Sequence, residues 1–232
     1  MKNTSVHTFF LMTRSRIPDA PEDENPSIIN RFRKSDHPAA SLARDLLWVA
    51  CVVGGIALLL FLISGTWPAV VTIESGSMLP EMQVGDLVFV VATDRYGPLV
   101  TTEEGKETVH LSFGHPGDVI IFRPNDNDQV HPIIHRALIR VTAEEAAELL
   151  AFENPHGGIV TQGDNNPVPD QVTTYPGIGR IEPIKDEWII GKAVFRVPLV
   201  GYLPLHLVEF AVLIIAIIII QELVASRRKE KK

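Results

Sequence analysis

The sequence has a single cysteine, Cys51, which lies inside an apolar run. With one cysteine the chain forms no internal disulfide and no metal site that is built from several thiolates. In apolar surroundings such a residue behaves as a small hydrophobic side chain. The cysteine content therefore does not distinguish an oxidising from a reducing compartment.

Basic residues are sparse in the middle of the chain. Residues 46–198 contain nine Lys and Arg against nineteen Asp and Glu. So acidic a region is a poor match for the phosphate backbone of nucleic acids, and we expect no nucleic-acid partner. Hydrophobic residues make up 46% of the chain and the mean hydropathy is +0.16. These values indicate a globular part with a few membrane-spanning helices rather than a polytopic transporter.

Charged residues are absent from residues 46–71, a run of 26 residues. A helix needs about 20 apolar residues to cross a bilayer. Trp48 and Trp67 lie near the two ends of the run, where interfacial aromatic residues belong. A buried core helix is disfavoured because uncharged runs of this length are rare in soluble folds. Residues 46–71 are therefore predicted to form a first transmembrane helix.

A second apolar stretch, residues 199–223, is predicted to form a second transmembrane helix. His206 and Glu209, in its first half, are expected near the interface rather than in an intramembrane contact. The basic residues that flank the two stretches are Arg31, Arg33, Lys34, Arg44, Arg227, Arg228, Lys229, Lys231 and Lys232. The positive-inside rule then predicts two cytoplasmic termini and residues 72–198 on the outer face.

The segments outside the spans differ in character. Residues 1–45 are polar and Pro-rich and are predicted to be a disordered cytoplasmic tail, and residues 224–232 a short basic tail. Residues 72–198 are predicted to be a mainly β domain, because short β-branched runs alternate with Gly, Pro, Asn and Asp. Those runs are VGDLVFVVAT, GDVIIFRP, PIIHRALIRV, GIVTQGD and WIIGKAVFRV. A capping-box pattern predicts one helix among them, Thr142–Phe152.

Four short segments of the β domain combine Ser, His and Asp with turn residues. They are Ser75-Gly76-Ser77-Met78-Leu79-Pro80 with Gly85-Asp86, Gly117-Asp118-Val119-Ile120, Ile133-Ile134-His135-Arg136, and Gly163-Asp164-Asn165-Asn166 with Asp170. A nucleophilic serine needs a base that takes its proton and a third group that orients the base. Each residue alone is more often structural, so the order and spacing of the whole set carry the prediction.

As a set, the four segments resemble those of type I signal peptidases, specifically the archaeal and endoplasmic-reticulum branch with its Sec11-like enzymes. The resemblance covers about residues 46–198. It implies that the β domain between the two predicted transmembrane helices is signal-peptidase-like, needs no cofactor, and hydrolyses the peptide bond after signal peptides. The bacterial branch has a lysine base where this chain has His135. No lysine lies between Lys106 and Lys185, which excludes a Ser-Lys dyad in these segments.

The same resemblance assigns roles to individual residues. Ser77 is the nucleophile and His135 the general base. Asp170 is preferred as the group that orients His135, and Asp164 is the alternative, which could instead hold its own loop. The backbone N–H of Ser77 would form the oxyanion hole, helped by the Ser75 hydroxyl.

Substrates and partners also follow from the resemblance. Cleavage after A-x-A-like sites implies small apolar subsites. The residues expected either to line them or to belong to the core are Val71, Ile73, Met78, Leu79, Ile133 and Ile134. The implied partners are preproteins, the lipid bilayer and the protein translocation channel. The long tail and the second span depart from the family pattern and favour an archaeal cell membrane over an endoplasmic reticulum.

Three other interpretations are weighed against this one. His110, His115, His131 and His135 would suit a zinc hydrolase, but the proline after His131 breaks the helical spacing that an H-E-x-x-H site needs. A non-catalytic membrane subunit on the same scaffold is disfavoured because all the catalytic groups are present. A self-cleaving regulator would use a lysine base and is usually soluble, so His135 and the two apolar stretches count against it.

Overall fold

The structure, a computed structural model, describes residues 37–152 and 154–230. Residues 1–36, which hold most of the predicted disordered tail, lie outside the described residues. The described residues divide into two compact units, of which the first ends at residue 54 and the second begins at residue 55. The sheet and the candidate site belong to the second unit.

Helix α1 covers Pro38–Ser64. It begins earlier than predicted, so that residues 38–45 are helical and not part of a disordered tail. Proline at the start of a helix loses no hydrogen bond and has the required φ, and the alanines that follow favour helix. Within α1, Ala39–Ser64 is the one helix in the described part of the chain that is long and apolar enough to cross a membrane.

Helix α1 also ends earlier than the predicted limit at residue 71. Gly65 adopts a left-handed φ of +73°, and its N–H closes the last turn on the carbonyl of Phe61 at 2.8 Å. Pro68 cannot continue a helix because it lacks an N–H. The chain therefore turns after Ser64 and enters the first strand.

The second unit is built around a six-stranded antiparallel sheet. In sheet order, the strands are β1 (Val70–Thr72), β2 (Leu87–Val91), β10 (Ile189–Val197), β5 (Val119–Phe122), β6 (Ile133–Val141) and β7 (Gly158–Gln162). The last five match the β-branched runs of the sequence, which confirms the mainly β prediction. Strand β1 lies in a segment that the sequence assigns to the end of the first span.

Strand β5 lies at the centre of the hydrophobic core. All four of its residues are buried, because the sheet is covered on both faces. Val119 and Ile121 join a cluster with Met78 on one face, and Ile120 and Phe122 join a cluster on the other. Burial of each such side chain contributes about 1.5–3 kcal/mol to the free energy of unfolding. This core provides the rigid base for the loops above it.

Short elements complete the domain. They are helices α2 (Thr102–Thr108) and α3 (Ala143–Leu150), and two hairpins formed by β3 (Leu111–Ser112) with β4 (His115–Pro116) and by β8 (Thr174–Tyr175) with β9 (Gly179–Arg180). Helix α3 is the predicted one, and its capping box between Thr142 and Glu145 is present. Helix α2 has an equivalent box between Thr101 and Glu104, which lowers the pKa of the Glu104 carboxyl.

The C-terminal region consists of α4 (Tyr202–Leu205) and α5 (Leu207–Glu230). The apolar part of α5, Val208–Gln221, is shorter than a bilayer requires, so a second span stays a prediction. Helix α5 continues through most of residues 224–232, which the sequence assigns to a tail.

Candidate active site

Ser77 lies in the loop between β1 and β2. Its side chain is half-buried, and its neighbours Met78 and Met82 are fully buried below it. The loop is tied to a second loop, since the backbone N–H of Asn165 donates to the Ser77 carbonyl at 2.8 Å and the Asn165 side chain donates to Gly76. These contacts fix the Ser77 backbone while its hydroxyl faces the cleft described below.

His135 lies in β6, whose backbone pairs with β5 on one side and β7 on the other. Its Nδ1 lies 2.7 Å from Asp170 Oδ2, and both side chains are buried. Since an ionised carboxylate only accepts, the Nδ1 carries the proton, and in the neutral ring Nε2 then has a free lone pair. This is the tautomer in which imidazole can take a proton from a hydroxyl.

Asp170 begins a short 3-10 turn, Asp170–Val172, and is fully buried. Besides His135, it accepts hydrogen bonds from the hydroxyls of Thr161 at 2.7 Å and of Tyr175 at 2.6 Å. A buried carboxylate is costly unless such donors surround it. The set of three donors supports an ionised Asp170 beside the imidazole.

Asp164 has a different partner. Its two oxygens pair with Arg136 Nε and Nη2, each at 2.7 Å, and both side chains are buried. Arg136 Nη1 donates further to the carbonyls of Gly117 and Ser112, at 2.6 and 2.9 Å. The pair therefore joins the Asp164 loop to the segment before β5. The structure places Asp164 away from the imidazole and places Asp170 against it.

Asp164 and Asp170 contact opposite faces of strand β6. His135 and Arg136 are consecutive in β6, and successive side chains of a strand point to opposite faces. One face receives Asp170 and the other receives Asp164. The loop that follows β7 thus supplies one acid to each face of β6.

Gly163 lies where the nucleophile and base segments come closest. A Cβ at this position would lie 2.6 Å from the Ser77 carbonyl oxygen and 2.9 Å from His135 Nε2. Both distances are shorter than real Cβ contacts, and the first partner is backbone. The absence of a side chain at residue 163 is therefore required for the close approach of the Ser77 loop to the imidazole.

We expect Gly163→Ala to reduce the catalytic rate about 100-fold, because a displacement of about 1 Å at the reacting groups has an effect of that size. The added methyl group must push the Ser77 loop or the imidazole aside. Peptidase assays on the purified variant measure the rate. Gly55→Ala is the control, since Gly55 lies in helix α1 without a positive φ and nothing lies within 4 Å of its Cβ position. A Gly163→Ala variant with the wild-type rate would contradict the close approach.

A cleft of about 670 Å³ contains the side chains of Ser77 and His135. Its apolar walls include Pro68, Val71, Ile133, Ile134, Pro204 and Leu205. Of the predicted subsite residues, Val71, Ile133 and Ile134 line the cleft. Met78 and Ile73 do not, because their side chains are buried in the core below the loop, and Leu79 is exposed outside the cleft. The assignment of Met78 to substrate binding is thus corrected to a core position.

Ser75 lies at the edge of the same cleft. Its hydroxyl is 3.2 Å from the Ser77 hydroxyl, close enough for a hydrogen bond. Because Ser75 is exposed, its hydroxyl can turn toward a bound carbonyl oxygen beside Ser77. This position is compatible with its predicted part in the oxyanion hole.

The Gly85-Asp86 and Gly117-Asp118 pairs of the sequence segments make contacts that hold neighbouring parts of the domain together. Buried Asp86 binds Arg196 at 2.7 Å, and Gly85, with φ of +87°, lies against the Tyr202 ring. These contacts hold the segment that carries Pro204 and Leu205 at the cleft wall.

Buried Asp118, the acid of the second pair, binds His110 at 2.7 Å and the Val100 N–H at 3.0 Å. Gly117 has φ of +83° and a Cβ there would meet the backbone of Thr102. Gly117 and Asp118 therefore hold the start of α2 against the start of β5.

The four histidines of the zinc alternative do not converge. His110, His131 and His135 face three different carboxylates, those of Asp118, Glu74 and Asp170. Within residues 37–152 and 154–230, no three His, Cys, Asp or Glu side chains come together where they could hold a metal ion. The structure gives the zinc alternative no support.

Comparison with known proteins adds an independent observation. A Verticillium alfalfae protein named signal peptidase complex catalytic subunit SEC11 is 31% identical over 140 residues, which cover 60% of this chain and 64% of the relative. Proteins of the same name from Fusarium vanettenii and Aspergillus oryzae are 32% identical over 140 residues and 27% identical over 167 residues. They are covered over 64% and 76% of their length, and this chain over 60% and 69%. No family model matches the chain.

The aligned region spans less than two thirds of the Verticillium and Fusarium relatives. All three relatives are fungal, so the archaeal membrane favoured by the sequence remains a prediction.

Proposed function

Because this chain resembles the Sec11-like type I signal peptidases, we propose that it is a membrane-bound serine endopeptidase that removes signal peptides from secreted preproteins. The observation that carries the proposal is the buried His135–Asp170 pair at 2.7 Å, whose imidazole lines the same apolar cleft as Ser77. These three side chains are the minimum set for acyl transfer through a serine.

In the proposed reaction, His135 Nε2 takes the proton of the Ser77 hydroxyl as Ser77 Oγ bonds to the scissile carbonyl carbon. The carbonyl oxygen becomes an oxyanion that the Ser77 N–H and the Ser75 hydroxyl stabilise. The imidazolium then gives its proton to the leaving amine as the C–N bond breaks. A water molecule, deprotonated by the same nitrogen, then bonds to the acyl carbon. The bond from that carbon to Ser77 Oγ breaks, and the imidazolium returns its proton to Oγ. Asp170 keeps the imidazole in the required tautomer throughout.

Two features of the site suit a signal peptide, namely the apolar walls of the cleft and the short distance along the chain from α1 to Ser77. The cleft walls are apolar, with Val71, Ile133 and Ile134 near the catalytic groups, and would bind small uncharged side chains before the scissile bond. Ser77 also follows the end of α1 at Ser64 by only thirteen residues. A catalytic serine so close to a membrane helix could reach a substrate that is itself embedded in the bilayer.

The proposed topology has two spans. Helix α1 would cross the membrane first and α5 would return, which places both termini in the cytoplasm and residues 72–198 outside. Preproteins would be cut there as they emerge from the translocation channel. The relatives are named as catalytic subunits of a signal peptidase complex, so partner subunits belong to the proposal.

The direct test is cleavage of a purified preprotein by the purified full-length chain in proteoliposomes. The expected product has a new N-terminus after an A-x-A-like site. A preprotein with bulky residues in place of both small ones is the matched control and should stay uncut. Cleavage at unrelated positions, or of both preproteins alike, would contradict the proposed substrate class.

A further inference from the structure

A tyrosine outside the four sequence segments contacts the acid of the candidate triad. The Tyr175 hydroxyl donates to Asp170 Oδ1 at 2.6 Å. The other oxygen, Oδ2, faces His135 Nδ1 at 2.7 Å and accepts from the Thr161 hydroxyl at 2.7 Å. Both oxygens of a fully buried carboxylate are thus engaged.

We propose that Tyr175 is a positioning residue whose hydroxyl fixes the rotation of the Asp170 carboxylate and keeps Oδ2 directed at His135. Its ring forms part of the cleft wall at the same time. The inference rests on the peptidase function proposed above and extends it by one residue that acts through Asp170.

The physical need for Tyr175 follows from the aspartate side chain. The last torsion of aspartate has a broad preference, so hydrogen bonds to Oδ2 alone leave the carboxylate poorly fixed. The Tyr175 hydroxyl holds Oδ1 and supplies a second fixed point. Burial and the neighbouring Asp170 raise the pKa of Tyr175. The phenol therefore stays protonated and donates over the whole pH range in which a histidine base would act.

The Tyr175 hydroxyl also affects the negative charge on the Asp170 carboxylate that faces His135. The hydrogen-bonding side chains around Asp170 are those of His135, Thr161 and Tyr175. A hydrogen bond from the phenol takes up part of the negative charge of the carboxylate. Without that bond, Asp170 stabilises the protonated imidazole more strongly. The free base then becomes available only at higher pH, which moves the acid limb of the rate profile.

The two contributions of Tyr175 can be measured separately. Phenylalanine keeps the ring in the cleft wall and removes only the hydroxyl. Leucine removes both. A group that acts through Asp170 affects kcat, whereas a wall that contacts the substrate before and during the reaction affects KM.

The experiment measures preprotein cleavage by the full-length chain at a series of pH values. For Tyr175→Phe we expect kcat to fall roughly tenfold, the size of effect that one hydrogen bond to a charged group can have. KM should stay at the wild-type value and the acid limb should move to higher pH. Tyr175→Leu should in addition raise KM.

The matched control is Tyr96→Phe, which makes the same chemical change elsewhere. The Tyr96 side chain is exposed and its hydroxyl donates to the Ile63 carbonyl at 3.0 Å, outside the cleft. Its kinetics should equal those of the wild type. An unchanged kcat and pH profile in Tyr175→Phe, or a raised KM with an unchanged profile, overturns the positioning role. Failure of the wild type to cleave would instead contradict the proposed function.

A second substitution keeps the inference testable if Tyr175→Phe does not fold. Replacement of Tyr175 by 3-fluorotyrosine preserves the shape of the side chain and makes the phenol a stronger donor. The acid limb should then move to lower pH, opposite to its direction in Tyr175→Phe. A profile identical to that of the wild type would overturn the inference.

Discussion

His135→Ala is expected to abolish cleavage at every pH. Loss of the base lowers kcat by roughly a millionfold in serine peptidases, because the nucleophile, the base and its orienting acid act as a unit. In this chain the imidazole is held by Asp170 and approaches the Ser77 loop. Initial rates of preprotein cleavage at a series of pH values measure the loss.

The control for this substitution is His110→Ala. His110 also lies 2.7 Å from an aspartate, Asp118, but it does not line the cleft. Asp118 keeps its bond from the Val100 N–H when the ring is removed. We expect the wild-type rate for His110→Ala. Activity retained in His135→Ala while folded protein is confirmed by circular dichroism would exclude His135 as the base.

Asp170→Asn is expected to lower kcat by about 10⁴-fold, the effect of the equivalent change in serine proteases with an aspartate behind the histidine. The asparagine amide can donate to His135 Nδ1 and thereby favour the tautomer with its proton on Nε2. That tautomer cannot accept the Ser77 proton. The hydroxyls of buried Thr161 and half-buried Tyr175, which donate to Asp170, would compete for the one remaining carbonyl oxygen. Single-turnover kinetics isolate the chemical step from binding.

Asp164→Asn is the matched comparison, because it makes the same change on the other face of β6. It weakens the buried bidentate pair with Arg136, whose bonds to Gly117 and Ser112 remain. We expect a lower melting temperature and a far smaller loss of kcat than for Asp170→Asn. Removal of one member of a buried ion pair costs about 3–5 kcal/mol of stability, which sets the upper limit for the milder Asn change. Equal losses of kcat would mean that both aspartates share the orienting role.

The main strands could be predicted from sequence because their signals are local. Strands β2, β5, β6, β7 and β10 are β-branched runs with turn residues at their ends, and helix α3 has a capping box. Helix α2 carries the same box at Thr101 and Glu104 and could have been found by the same rule. The strands of the two hairpins have two residues each. Strands this short show no detectable alternation of apolar and polar residues, and could not be predicted from the sequence.

The choice between the two aspartates required a non-local argument. Asp164 and Asp170 lie in one loop, and their distances along the chain from His135 favour neither. The deciding fact is that Arg136, next to His135, points to the opposite face of β6 and is buried. A buried arginine needs a carboxylate, so Asp164 pairs with Arg136 on one face of β6 and Asp170 faces His135 on the other.

Other parts of the site depend on contacts that the sequence does not encode locally. Tyr175 reaches Asp170 only because the short turn Asp170–Val172 and the β8–β9 hairpin return the chain to the cleft. Met78 was expected either to line a subsite or to belong to the core. The loop directs it into the core with Ile73 and Met82, away from the cleft. Adjacent residues in a sharp loop can face opposite environments, and composition alone does not show which residue faces the core and which faces the cleft.

The most direct measurement compares preprotein cleavage by the wild type, Ser77→Ala and Ser75→Ala, each purified and reconstituted in proteoliposomes. We expect a product from the wild type and none from Ser77→Ala. For Ser75→Ala we expect a rate reduced about 10²–10³-fold, the effect of losing one oxyanion donor. Cleavage by Ser77→Ala at the wild-type rate and position would exclude Ser77 as the nucleophile of a serine endopeptidase.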